Sequence, residues 1–171
     1  MTAPVALSCG DPAGVGPEIA VAAWRALGRE LPFVWIGDPR HLPQGTPVVE
    51  LGDPGRAAEA ARTAFPVLAL PSAAAAVPGQ PDLRNAPGTV AAIERGVALV
   101  QAGAASALCT APIAKKVLVD GAGFAHPGHT EFLAALAGVD RVVMMLACPD
   151  LRVVPTTIHI PLADVPRART R

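Results

Sequence analysis

Val5-Ala6-Leu7-Ser8-Cys9-Gly10-Asp11-Pro12-Ala13-Gly14-Val15-Gly16-Pro17-Glu18 is the stretch whose reading decides the fold. Its first five residues form an apolar run of the length of a buried strand. Gly10-Asp11-Pro12 breaks that run, and an amphipathic stretch over residues 17–27 follows, with Gly28 as a natural helix stop. The same alternation continues outward. Strands are expected at 33–36, 65–70 and 105–109, and helices at 56–64 and 89–101, the latter with Val90, Ile93, Val97 and Val100 on one face. Thr110-Ala111-Pro112 then turns into a helix carrying Lys115 and Lys116. A helix at 129–136 and strands at 141–147 and 151–158 complete the pattern, with a helix cap and first turn at 163–166. Strands alternating with helices predict an α/β fold with a mostly parallel sheet.

Composition bounds the function class. A chain of 171 residues has room for one domain, or one plus part of another. Hydrophobic residues at 51% against 16% charged allow a sizeable core and exclude disorder. Pro, Gly or Arg interrupts every apolar run before the roughly 20 residues of a membrane-spanning helix. The N-terminus lacks the basic flank and apolar block of a signal peptide, so a cytoplasmic location is expected. A formal net charge of zero and the lack of a basic stripe argue against nucleic acid.

Smaller features add detail. Gly-Asp-Pro occurs at 10, 37 and 52 with no common period, so it reads as punctuation. Gly relaxes the backbone after a strand, Asp caps, and Pro fits the first helical position. Residues 71–87, rich in Ala and Pro, read as a loop open to motion rather than a linker between domains. Cys9, Cys109 and Cys148 stand far apart among apolar neighbours, which suits three reduced, buried thiols. Twelve of the fourteen basic residues are Arg, and the only lysines are the adjacent Lys115 and Lys116. Either an ammonium with a tunable pKa is needed there, or the pair is a solvated helix face.

Several residues are candidates for chemistry. The glycine-rich turn at 10–18 is either a cradle of backbone N–H groups for an anion or a tight strand–helix joint. It is not a dinucleotide fingerprint, because Ile19 stands where a third Gly is required, and no Gly-Lys-Ser/Thr makes it a P-loop. His41 follows a turn and is expected to be solvated. His126 and His129 flank Pro127-Gly128, a spacing that says little about metal. His129-Thr130-Glu131 reads in two ways. Thr130 caps a helix, or an imidazole, a hydroxyl and free N–H groups gather at a helix N-terminus, where a phosphate or carboxylate fits. His159 closes the last strand, where α/β proteins bind ligands, or is a hydrogen-bonded core or edge histidine.

Five signatures in order add a family resemblance: Gly10 to Glu18, Thr110-Ala111-Pro112-Ile113-Ala114-Lys115, Pro127-Gly128-His129-Thr130-Glu131-Phe132, Val142-Val143-Met144-Met145-Leu146, and Thr156-Thr157-Ile158-His159-Ile160-Pro161-Leu162. Together they resemble the front half of the 4-hydroxythreonine-4-phosphate dehydrogenase family. The resemblance implies a two-domain α/β fold similar to isocitrate and isopropylmalate dehydrogenases, here truncated. Residues 1–122 would belong to the first domain, and 123–171 would begin a second, dimer-forming one.

The implied activity is NAD- (or NADP-) dependent oxidation of 4-phosphooxy-L-threonine followed by decarboxylation, in vitamin B6 synthesis. The implied working form is a homodimer holding a divalent metal (Zn, Mg or Co) through three histidines, with both subunits contributing to each site. By this resemblance His159 matches the first metal ligand, His129 and Thr130 match the pair that touches substrate, and Lys115 matches a lysine with a catalytic role. The remaining histidine ligands and most of the NAD-binding segments are expected beyond Arg171, so the 171-residue chain alone is expected to be inactive. The alternatives are a dehydrogenase of a related acid such as phosphorylated threonate, or a non-catalytic half that only binds a ligand or partner.

Overall fold

The apolar run at the start pairs on both sides, which is why it lies at the heart of the sheet. In the computed structural model, which describes residues 3–157 and 160–168, strand β1 (Val5–Ser8) runs parallel to β2 (Phe33–Gly37) and to β5 (Ala107–Thr110). Strand β4 (Phe65–Ala69) pairs with β2, and β3 (Val48–Glu50) with β4, giving a parallel sheet of order β3-β4-β2-β1-β5. All five residues of β2 are buried, as expected for a strand covered on both faces. Phe65 is the hub of the core. The rings of Trp24, Phe33 and Trp35 stand 5.8, 6.0 and 6.2 Å from it, the first two edge-on.

Four helices accompany this sheet: α1 (Gly16–Leu27), α2 (Ala57–Ala60), α3 (Ala86–Gln101) and α4 (Lys115–Ala122). Trp24 on α1 donates its indole N–H to the Ala61 carbonyl at 2.9 Å, fastening α1 to the end of α2. The expected helix at 56–64 is only a 3-10 turn (Pro54–Arg56) and the single turn of α2, followed by turns. Strand β3 was not expected at all; its three residues are too few to show a period.

The chain packs as two compact units, Met1–Pro127 and Gly128–Arg171. The second holds α5 (His129–Ala137), a short antiparallel pair β6 (Leu146–Ala147) and β7 (Arg152–Val153), and a closing helical turn α6 (Val165–Ala168). The long strands expected at 141–147 and 151–158 thus shrink to two residues each among the described residues, because neither run is covered by a second layer. Ile158, at the end of the second run, lies outside the described residues.

Two further expectations fail. Of the three cysteines only Cys9 is buried; Cys109 lies on the edge strand β5 and Cys148 in the β6–β7 turn, both exposed. His41 is buried rather than solvated, its Nε2 2.9 Å from the Ala74 carbonyl oxygen. No helix among the described residues is long and apolar enough to cross a membrane.

Candidate active site

Because the sheet is parallel, its carboxyl ends share one edge. The chain leaves β1 towards β2 on one side, whereas β4 leads through α3 to β5 on the other. The crevice between β1 and β5 is therefore a topological switch point, where α/β folds commonly take ligands. Two of the sequence signatures meet there. Asp11 N–H donates to the Pro112 carbonyl at 2.9 Å, and Ala111 N–H to the Ser8 carbonyl at 3.2 Å.

The glycine-rich turn is a tight joint between β1 and α1. Gly10 adopts φ +68°, and a side chain there would collide with the Pro112 carbonyl oxygen and the Ala111 methyl. A Cβ at Gly16 would stand 2.7 Å from the Cys9 carbonyl oxygen. Three of its N–H groups are taken: Asp11 by the Pro112 carbonyl at 2.9 Å, Ala13 by Asp11 Oδ1 at 3.0 Å, and Gly14 by the Asp11 carbonyl at 3.0 Å. The crevice lined by Asp11, Asn85, Thr89, Ala114 and Val117 has no room for a water.

Beside this joint α4 begins with two cations at its positive end, where the helix dipole disfavours them. Lys116 is neutralised by Asp120 one turn on, at 2.6 Å, and this pairing raises its pKa. Lys115 is exposed and has no hydrogen bond or ion pair among the described residues.

In the second unit, α5 opens on the residues expected to grip a substrate. The residue before its first turn is Gly128, and no side chain caps the helix, so its first N–H groups lack side-chain acceptors. Thr130 stands inside the first turn and does not cap it, contrary to one of its two readings. Its hydroxyl is free to turn elsewhere. His129 is half-buried; its Nε2 is shielded from solvent without a hydrogen-bond partner among the described residues, and burial pulls its pKa below the ordinary histidine value. Thr130 lines an open cavity of about 440 Å3 together with Glu131, Arg141, Met144, Thr156 and Thr157. That volume suits a small metabolite.

Arg141, Thr156 and Thr157 had not been singled out as site residues. The available signal for Arg141 was a lone cation heading the apolar run Val142-Val143-Met144-Met145-Leu146. His159 lies outside the described residues. Among the described residues no three His, Cys, Asp or Glu side chains gather to hold a metal, so the implied ion finds no donor set there.

Residues 30–171 match the family model for the pyridoxal phosphate biosynthetic protein PdxA. A 4-hydroxythreonine-4-phosphate dehydrogenase of Ruegeria sp. (strain TM1040) is 60% identical over 166 residues, which are 97% of this chain and 51% of the relative. Its namesake in Roseobacter denitrificans is 59% identical over 99% of this chain and 52% of its own. The crystal structure of a 4-hydroxythreonine-4-phosphate dehydrogenase from Burkholderia phymatum superposes with a TM-score of 0.82 at 31% identity, covering 98% of this chain and 53% of that one. The chain spans about half the length of the curated relatives it matches. It belongs to the PdxA family of pyridoxal phosphate biosynthetic proteins.

Proposed function

We propose that this chain supplies the substrate-gripping part of a dehydrogenase that oxidises 4-phosphooxy-L-threonine, with loss of carbon dioxide from the β-keto acid formed, in vitamin B6 synthesis. The observation that carries the reading is the Thr130–Arg141 cavity at the open end of α5, in a chain 60% identical to a relative of that name. NAD takes up the hydride when bound, and a divalent metal completes the family's site. No group of three His, Cys, Asp or Glu that could hold the metal stands among the described residues, and the contribution assigned to this chain is recognition and orientation of the substrate.

The lining suits a molecule with charges of both signs. Arg141, the Thr130 hydroxyl and the N–H groups of the first α5 turn favour a phosphate or carboxylate. Glu131 would repel those groups and favour the substrate's ammonium. The lowered pKa of His129 keeps its imidazole neutral at neutral pH; its side chain does not line the cavity, and its assignment to the substrate rests on the family resemblance. Lys115, left without a counter-charge, is assigned a catalytic role in steadying developing negative charge, and His159 the role of first metal ligand. The working form is read as a cytoplasmic homodimer of the isocitrate dehydrogenase-like two-domain fold.

Glu131 separates the two substrate readings, because phosphorylated threonate has no ammonium to meet it. In a competition titration, 4-phosphooxy-L-threonine should bind more tightly than threonate phosphate. Tighter binding of threonate phosphate would move the assignment to the alternative acid. The chain by itself is expected to make no NADH from either compound; steady NADH production would contradict the division of labour proposed here.

A further inference from the structure

At the amino edge of the sheet, opposite the β1–β5 crevice, the first unit gathers positive charge. Helix α1 ends there before β2 begins, and α2 ends there before β4 begins. Arg29 from the first of these ends, and Ala58, Arg62 and Thr63 from the second, line an open cleft of about 570 Å3. The lining holds two guanidiniums and a hydroxyl, and no carboxylate. Neither arginine side chain, nor the Thr63 hydroxyl, has a hydrogen bond or ion pair among the described residues. Four other cations of this unit do find a carboxylate close in sequence: Arg40 with Asp38, Arg56 with Glu59, Arg84 with Asp82 and Lys116 with Asp120. Glu59, three residues before Arg62, is turned to Arg56 at 3.7 Å.

The walls of the cleft are fixed by the fold. The indole N–H of Trp24 on α1 reaches the Ala61 carbonyl at 2.9 Å, beside Arg62, and its ring packs edge-on against Phe65 just past the turn. Gly28 N–H donates to the Trp24 carbonyl at 2.9 Å and Leu31 N–H to the Leu27 carbonyl at 2.8 Å, closing the end of α1 around Arg29. Arg62 and Thr63 N–H donate back to the Glu59 and Ala60 carbonyls at 3.3 and 3.1 Å. A frame already ordered has less freedom to lose on binding. Two guanidiniums facing one cleft repel each other unless an anion stands between them. The negative end of α1 offsets part of the charge on Arg29, but α2 is a single turn and does little for Arg62. Planar guanidiniums beside a hydroxyl match the oxygens of a tetrahedral oxyanion. We infer that this cleft binds a small anion of the phosphate class, free or carried as an ester. It shares no residue with the Thr130–Arg141 cavity, so the inference does not rest on the substrate assignment.

The test is a calorimetric titration, at low ionic strength, of the chain carrying Arg141→Gln, which removes the cation of the other cavity. Pyrophosphate and glycerol phosphate are the probes, one a free anion and the other an ester, and the tighter of the two names the source. One equivalent should bind. Adding Arg62→Gln or Arg29→Gln should weaken binding about tenfold or more, and Thr63→Val by a smaller factor. Arg95→Gln, at an exposed arginine of α3 outside the cleft, should leave the affinity unchanged. All four positions are exposed, so the Tm without anion should not move. The inference is overturned if neither probe binds, or if Arg95→Gln weakens binding as much as Arg62→Gln, the mark of general attraction to solvated cations. Because Arg141 is replaced throughout, either result leaves the substrate assignment standing.

Discussion

An aspartate between glycine and proline does the same work three times in this chain. Asp11, Asp38 and Asp53 each accept, through Oδ1, the N–H two residues on, at 3.0, 2.9 and 2.9 Å. Only Asp38 is deeply buried, 3% exposed, and it also accepts from Ser72 N–H at 2.8 Å and from the Arg40 guanidinium at 2.6 Å. Burial alone would raise its pKa, but the bonds from Arg40 and Ser72 outweigh that and hold it near 2. A folded-state pKa below the unfolded one contributes stability that is complete above about pH 4 and lost as pH falls towards 2. Asp38→Asn should therefore cost on the order of 2 kcal/mol in urea unfolding at pH 7, with the gap to wild type closing between pH 4 and 2. The cysteines make a second test. Burial first, with the nearby carboxylates of Asp11 and Asp38 adding to it, pushes the Cys9 thiol up to about 12. A thiol reagent at pH 8 should label Cys109 and Cys148 and spare Cys9 until the chain unfolds; rapid labelling of Cys9 in the native chain would contradict its placement. The capping aspartates were legible in the sequence because turn chemistry is local. The exposure of Cys109 was not, because it depends on what covers the sheet face at β5, the end strand among the described residues.

At the scale of elements, the loop expected to be open to motion is a strap. The buried Asn85 carboxamide oxygen accepts from Ser72 Oγ at 2.8 Å and from Ala74 N–H at 2.9 Å. Further along, Gly79 N–H donates to the Ala13 carbonyl at 2.8 Å, and Thr89 Oγ1 donates to the Gly10 carbonyl at 3.0 Å. The strap and the start of α3 thus hold the glycine-rich turn from one side while Pro112 holds it from the other. Asn85→Ala leaves Ser72 and Ala74 without their shared acceptor and should cost about 1–3 kcal/mol. Amide exchange should quicken at Ala74 and spread to residues 10–16; a change confined to Ala74 would show that the strap does not brace the turn. Composition marked 71–82 correctly as irregular, whereas Leu83–Asn85 form a 3-10 turn and α3 already begins at Ala86; the hydrogen bonds of the loop reach side chains as far as Asp38, 34 residues away, and no local pattern carries that. Helices α1 and α3 were legible because their apolar faces repeat with the helical period over three turns or more. The run at 141–147 was misread because apolar content predicts a strand only where a neighbour exists to pair with it.

For the whole molecule, a parallel five-stranded sheet brings the first two signatures together at the β1–β5 switch point, and the second unit presents His129 and Thr130 at the head of α5. The order of the sheet was not readable from the chain, since alternation gives the class of fold and not which strands become neighbours. Motif order did read through to the family, because five signatures in register constrain far more than any one spacing. The central claim is that the Thr130–Arg141 cavity grips the phosphorylated substrate. Its most direct test is a calorimetric titration of the chain with 4-phosphooxy-L-threonine at low ionic strength, beside Arg141→Gln and Thr130→Val. The wild-type chain should bind one equivalent, and Arg141→Gln should weaken binding about tenfold or more, as loss of a charge-assisted hydrogen bond does. Thr130→Val should weaken it by a smaller factor. No binding by the wild-type chain, or equal affinity in all three proteins, would contradict the assignment.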